Sequence, residues 1–101
     1  THDEAVSTFG LDPTKRTILV VGGSLGARTL NESMLGAWDT LGTTDVQFIW
    51  QTGKFYSEQI TALLRGRELP NVHVCDFISN MDAAYAAAEK AASDKEPFGL
   101  N

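Results

Sequence analysis

A glycine-rich turn is the part of the sequence whose residue types and spacing suggest chemistry most directly. The apolar run TILVV, residues 17–21, is followed by GGSLGA, residues 22–27, and then by helix-forming residues. Glycines let backbone N–H groups approach a ligand closely, and the start of a helix offers unpaired N–H groups and the positive end of its dipole. This combination is typical of an anion site, most often for phosphate.

The turn differs from the two best-known phosphate-binding loops. It does not read G-x-G-x-x-G, and it lacks the Gly-Lys-Ser/Thr end of a P-loop, which disfavours a standard ATPase. A dinucleotide-binding domain would also place an acidic residue at the end of its second strand, where this chain has Trp50-Gln51. From the residues alone, a tight turn between strand and helix that binds nothing remains the alternative.

The elements that must position this turn alternate between strands and helices. Apolar runs predict strands over 17–21, 46–50 and within 72–78, and apolar spacings of three and four predict helices over 27–41, 55–64 and 81–92. The order β-α-β-α-β-α predicts an α/β fold, a Rossmann-like three-layer domain with a parallel sheet and right-handed crossovers. In such sheets ligands bind at the carboxyl ends of the strands, where the glycine turn lies.

Length and composition narrow the class of protein further. The 101 residues predict one small domain, with a polar lead-in over 1–16, the βαβαβα unit over 17–92 and a tail over 93–101. A net charge of −5 with scattered basic residues argues against nucleic-acid binding. No apolar run approaches the roughly 18 residues of a membrane span, so we expect a cytoplasmic protein. We expect no cofactor and no metal, and the single cysteine, Cys75, is predicted to be a buried structural thiol.

Other polar residues have a structural interpretation that outweighs a chemical one. His73 lies between two valines of the third strand and is predicted to be a packed or a surface residue of that strand rather than a base. Asp76 and Asp82 lie near a strand end and a helix start, where solvation and capping explain them. Lys54 follows a glycine turn at the ligand side of the sheet, where it is within reach of an anion or simply solvated.

Three motifs, in order, resemble one known family. TILVVGGSLGARTLNE, VQFIWQTGK and NVHVCDFISNMDAAYAAA are similar to the C-terminal domain of the MurG family of bacterial glycosyltransferases, which belong to glycosyltransferase family 28 and have the GT-B fold. The resemblance covers about residues 9–88. It implies a part of the domain that binds UDP-N-acetylglucosamine, in a hexosyltransferase that transfers N-acetylglucosamine to lipid I and forms lipid II for peptidoglycan.

The resemblance also implies which residues bind the donor. In the family the GGSxGA loop contacts the diphosphate, which makes Ser24 the expected side-chain contact here. The family's F-I-x-x-M segment holds the uracil through backbone groups at the isoleucine and packing by the methionine. The implied donor-binding residues are Gly22, Gly23, Ser24, Leu25, Gly26, Ala27, Phe77, Ile78 and Met81. For the last three, ordinary core packing is the alternative.

The resemblance stops short of the whole enzyme. In the family the N-terminal domain binds the lipid I acceptor, associates with the cytoplasmic face of the inner membrane and carries the proposed catalytic base. We therefore assign no catalytic residue here and expect the isolated chain to be inactive. The family continues with an apolar strand and a ribose-binding glutamate where this chain reads KAASDKEPFGLN. Without that strand TILVV becomes a sheet edge, which predicts self-association.

Other functions are compatible with the same residues. One is a stand-alone nucleotide-sugar-binding subunit that needs a separate acceptor-domain partner. Another is an unrelated Rossmann-like nucleotide-binding domain. A third is a folded chain that has kept no affinity for a ligand.

Overall fold

The structure is a computed structural model that describes residues 1–22 and 27–94, with side chains described up to residue 88. The three strands form one parallel sheet in the order β1-β2-β3, which confirms the predicted α/β class. The strands are β1 Thr17–Val21, β2 Gln47–Gln51 and β3 Val72–Cys75. The helices are α1 His2–Thr8, α2 Ala27–Gly36, α3 Trp38–Leu41, α4 Lys54–Leu64 and α5 Met81–Asp94.

Both faces of the sheet are covered by helices. Because successive side chains of a strand point to opposite faces, each strand contributes to two separate cores. One core contains α1 and α5 with Leu19, Val21, Ile49 and Cys75, and the other contains α2, α3 and α4 with Ile18, Val20, Phe48, Trp50 and Val74. The result is the three-layer arrangement that the sequence predicts.

The segment over residues 1–16, which the sequence describes as a polar lead-in, contains a helix in its first half. Residues 2–8 form α1, which begins with a capping box between Thr1 and Glu4. Val6 is fully buried in the core between α1, α5 and the sheet, and the Phe9 ring packs edge-on against His73 with centroids 5.2 Å apart. Of the two predicted alternatives for His73, this contact supports the packed one.

Smaller differences concern the ends of elements. The predicted helix over 27–41 is divided at Ala37 into α2 and α3, next to Gly36, whose low helix propensity weakens the helix there. The helix α4 begins at Lys54, one residue before the prediction, and Gly66 follows its end with a φ of 81°. The helix α5 extends to Asp94, two residues into the predicted tail, and residues 95–101 lie outside the described residues.

Candidate functional site

The carboxyl ends of the three strands lie side by side. Val21 pairs with Gln51 across β1 and β2, and Gln51 pairs with Cys75 across β2 and β3, so the chain leaves all three strands at the same edge. We call this the carboxyl edge. The residues implied in donor binding follow β1 and β3 at this edge, as the parallel arrangement predicts.

The start of α2 lies against the end of β1. A Cβ atom added to Gly22 would lie 2.5 Å from the Cα atom of Ala27, a distance that no real side chain tolerates. Only glycine therefore fits at position 22, and the N-terminal turn of α2 lies directly at the carboxyl edge. The predicted phosphate contacts Gly23, Ser24, Leu25 and Gly26 lie outside the described residues.

The segment after β3 exposes one of its three implied donor residues. Ile78 is buried in the core between α1, α5 and the sheet, and Met81 packs partly buried against the same core. Phe77, by contrast, is 59% exposed, so core packing does not explain an aromatic residue at this position. Asn80 caps α5 by accepting a 3.0 Å hydrogen bond from the Ala83 N–H, and this bond ends the segment.

The turn after β2 is bonded to the chain that leaves β3. The Thr52 N–H donates to the Cys75 carbonyl at 2.8 Å, and the Gly53 N–H donates to the Asp76 carbonyl at 3.0 Å. The Thr52 side chain is 1% exposed, and its hydroxyl donates to the Gly53 carbonyl at 3.0 Å. These bonds continue the pairing of β2 with β3 beyond the strand ends and hold two of the three turns of the carboxyl edge together.

A glutamine at the end of β2 contacts the implied uracil-binding segment. The Gln51 Oε1 atom accepts a 2.8 Å hydrogen bond from the Ile78 N–H. Gln51 was not among the predicted site residues, because its partner lies 27 residues further along the chain. The available signal was a polar residue that ends an otherwise apolar strand.

A buried asparagine ties α2 to the same end of β2. Asn31 is 4% exposed, and its Oδ1 atom accepts a 2.9 Å hydrogen bond from the Trp50 indole N–H. Its Nδ2 atom donates to the Thr52 carbonyl at 3.0 Å. Asn31 was not predicted either, although its two bonds fix the position of the helix whose first turn faces the carboxyl edge.

Charged and polarisable groups lie near the exposed aromatic ring. The Lys54 Nζ atom lies 5.7 Å from the centroid of the Phe77 ring, within the range of a cation–π interaction. Burial raises the pKa of the Cys75 thiol, and the neighbouring Asp76 carboxylate adds to this effect. Cys75 is a free, half-buried thiol, which agrees with a structural role.

Neither a metal site nor a membrane-spanning helix is found in the part of the chain that the structure describes. No group of three or more His, Cys, Asp or Glu side chains is arranged there to hold a metal ion. None of the described helices is both long and apolar enough to cross a bilayer.

The chain has a parallel sheet covered by helices on both faces, and a glycine is sterically required between its first strand and the next helix. These two features define a Rossmann-like domain. Within this class the chain belongs to the glycosyltransferase family 28 C-terminal domain, whose family model matches residues 17–92.

Curated relatives agree with this family. The chain is 54% identical over 89 residues to the UDP-N-acetylglucosamine--N-acetylmuramyl-(pentapeptide) pyrophosphoryl-undecaprenol N-acetylglucosamine transferase of Phocaeicola vulgatus, covering 87% of this chain and 24% of the relative. It is 52% identical over 90 residues to the protein of the same name in Bacteroides fragilis, and this match also covers 87% of this chain and 24% of the relative. The chain thus spans about a quarter of the length of these relatives. No solved structure matches the chain significantly.

Proposed function

We propose that this chain is the UDP-N-acetylglucosamine-binding part of an N-acetylglucosaminyltransferase that converts lipid I to lipid II. The observation that carries the proposal is the close approach of Gly22 to Ala27, which brings the N-terminal turn of α2 to the carboxyl edge of the sheet. A helix start in this position favours a bound phosphate. Membership of family 28 and the donor in the relatives' name support the same ligand.

The donor would lie along the carboxyl edge. Its diphosphate would contact the turn over residues 22–27, with the Ser24 hydroxyl as a hydrogen-bond donor. Its uracil would lie at the segment that contains Phe77, Ile78 and Met81. The exposed Phe77 ring supports this placement, because an apolar surface at the ligand edge of the sheet suits a nucleobase.

In the reaction of the whole enzyme, an acceptor hydroxyl of lipid I would attack the anomeric carbon of N-acetylglucosamine. A carbon–oxygen bond forms to the acceptor, the bond to the diphosphate breaks, and UDP leaves with the electron pair. Negative charge grows on the leaving diphosphate, and the backbone N–H groups and dipole of α2 would stabilise it electrostatically. Acceptor binding and proton removal belong to the domain outside this sequence, so the chain alone would not catalyse transfer.

The direct test is a titration of the ¹⁵N-labelled chain, followed by amide NMR. UDP-N-acetylglucosamine should shift the signals of residues 22–27 and 77–81, whereas NAD at the same concentration should not. Shifts with NAD alone would contradict the proposal in favour of a dinucleotide-binding domain. A folded chain that responds to neither ligand would also contradict it.

A separate test concerns catalysis. The chain incubated with UDP-N-acetylglucosamine and a lipid I analogue should yield no lipid II analogue, and detectable transfer would show that the chain suffices. Addition of an acceptor domain from a relative should restore activity only if the two parts associate. The cellular location proposed with this function is the cytoplasmic face of the bacterial inner membrane, which fractionation of the full-length enzyme would test.

We also propose that β1 associates with a second copy of this chain. Within the described residues β1 pairs with β2 alone, and four of its five side chains are apolar and only partly buried, two on each face of the sheet. An apolar strand with one unpaired edge is a pairing site for another strand. Sedimentation equilibrium should reveal dimers that dissociate on dilution, and a monomer at millimolar concentration would contradict the proposal.

A further inference from the structure

The strand β2 begins and ends with a glutamine, and both glutamines bind the backbone of a neighbouring segment. At the start, the Gln47 Oε1 atom accepts a 2.7 Å hydrogen bond from the Asp12 N–H, and its Nε2 atom donates to the Asp12 carbonyl at 2.8 Å. At the end, the Gln51 Oε1 atom accepts a 2.8 Å bond from the Ile78 N–H. Both side chains lie on the face of β2 that carries Ile49, because residues two apart share a face.

We infer that Gln51 is a positioning residue of the donor site, which holds the segment of Phe77 and Ile78 in its ligand-binding shape. This inference rests on the proposed function. It adds a residue that the family resemblance did not assign, and it gives Gln51 a role through Ile78 rather than through the donor itself.

The segment between β3 and α5 depends on a side-chain hydrogen bond to hold its backbone in place. The strand β3 ends at Cys75, and α5 begins at Met81, so the residues between them have no regular backbone pairing of their own. The backbone N–H groups of Thr52 and Gly53 donate hydrogen bonds to Cys75 and Asp76. Asp76 is the last residue of the segment that this backbone pairing includes. The next described backbone hydrogen bond on this segment is the one that Ile78 donates to Gln51.

The same bond fixes which groups face the ligand. The Ile78 side chain is 3% exposed and points into the core, whereas the preceding Phe77 is 59% exposed. The Ile78 N–H belongs to the peptide group between these two residues. The hydrogen bond to Gln51 therefore fixes the orientation of this peptide group, and with it the side of the segment on which Phe77 lies.

The experiment compares two glutamine substitutions of equal chemistry at opposite ends of β2. Gln51→Met removes the acceptor for the Ile78 N–H and keeps a side chain of similar length, and Gln47→Met does the same for Asp12. Two quantities are measured for each variant and the unsubstituted chain: amide hydrogen exchange at Ile78, and the dissociation constant for UDP from NMR shifts. If Gln47→Met does not fold, Gln59→Met at an exposed position of α4 serves as the control.

The expected result separates positioning from stability. Gln51→Met should speed exchange at Ile78 by about tenfold and raise the dissociation constant for UDP by up to about tenfold, the range that one hydrogen bond supports. Gln47→Met should leave both quantities unchanged even where it lowers stability. Gln51→Glu, which keeps an oxygen acceptor, should restore slow exchange at Ile78.

Two results would overturn the inference and leave the proposed function intact. An unchanged UDP affinity in Gln51→Met would show that the hydrogen bond from Ile78 to Gln51 has only a structural role. A tighter UDP affinity would show that Gln51 competes with the base for the Ile78 N–H. If the unsubstituted chain does not bind UDP, the proposed function fails, and the role of Gln51 in a donor site fails with it. The exchange data distinguish these cases because they need no ligand.

Discussion

The indole N–H of Trp50 donates a 2.9 Å hydrogen bond to the Oδ1 atom of Asn31, and this bond joins β2 to α2 inside the core. Trp50 is fully buried, and Asn31 is 4% exposed. The asparagine amide group donates in turn to the Thr52 carbonyl at 3.0 Å. One buried side chain therefore connects the helix that begins at the glycine turn with the turn that ends β2.

The first prediction tests this connection by a double-mutant cycle. Asn31→Leu should lower the free energy of unfolding by about 1–3 kcal/mol, because it leaves the buried indole N–H and the Thr52 carbonyl without their partner. Trp50→Phe should cost less in the Asn31→Leu background than in the unsubstituted chain, since the phenyl ring has no donor to leave unpaired. Urea unfolding followed by far-UV circular dichroism gives the four stabilities. Additive costs would contradict a direct interaction between the two residues.

The second prediction concerns the close approach of α2 to β1. Gly22→Ala should lower the free energy of unfolding by about 1–3 kcal/mol or more, because the new Cβ atom would lie 2.5 Å from the Ala27 Cα atom and the helix must move. Gly36→Ala is the matched control: its Cβ atom meets nothing within 4 Å. That substitution should stabilise α2 by at most about 0.5–1 kcal/mol, because Gly36 is the last residue of the helix and not in its interior. Thermal unfolding measures both, and equal effects would refute the steric argument.

The third prediction compares neighbouring residues of the segment after β3. Ile78→Ala should lower the free energy of unfolding by about 2–5 kcal/mol, because it leaves a cavity in the core. Phe77→Ala should change it by less than about 1 kcal/mol, since the ring is 59% exposed and its contact with Lys54 is a weak one. Phe77→Ala should nevertheless weaken UDP binding in the NMR titration. An unchanged UDP affinity would argue against a ligand role for the ring.

The fourth prediction is a pH dependence that arises from Cys75. Burial raises the pKa of the thiol in the folded chain above its unfolded value of about 8.5. The unfolded chain then loses this proton first as the pH rises, so the contribution of Cys75 to stability is complete below about pH 8.5 and falls above it. Relative to Cys75→Ala, the unsubstituted chain should lose stability between pH 7 and pH 10 in urea unfolding under reducing conditions. A difference that is the same at both pH values would refute the prediction.

Much of the fold could be predicted from local pattern. The apolar run TILVV, residues 17–21, matches β1 at both ends, and the apolar spacing over 55–64 matches α4 to within one residue. These elements were predictable because the apolar pattern that buries one face of a strand or helix is set by residues close together in sequence. The capping box at Thr1 and Glu4 was an equally local signal for α1, and the polarity of the surrounding residues concealed it.

The candidate site could be predicted only in part. The glycine turn indicated a phosphate site because it lies between a strand and a helix, and Gly22 does lie where a close approach requires it. Ile78 and Met81 could equally have been core residues by pattern, and both do pack in or against the core. The exposure of Phe77 distinguishes it from its neighbours, and no local pattern indicated that difference.

The sequence by itself determined the class of fold, the family and the edge of the sheet where a ligand belongs, because each depends on motifs of a few adjacent residues. Only the tertiary structure decided which polar side chains hold that edge together. Asn31 meets Trp50 from 19 residues away, and Gln51 meets Ile78 from 27 residues away. A side-chain amide pairs with whichever backbone or indole group the packed helices and strands bring within about 3 Å, and local sequence does not specify that group.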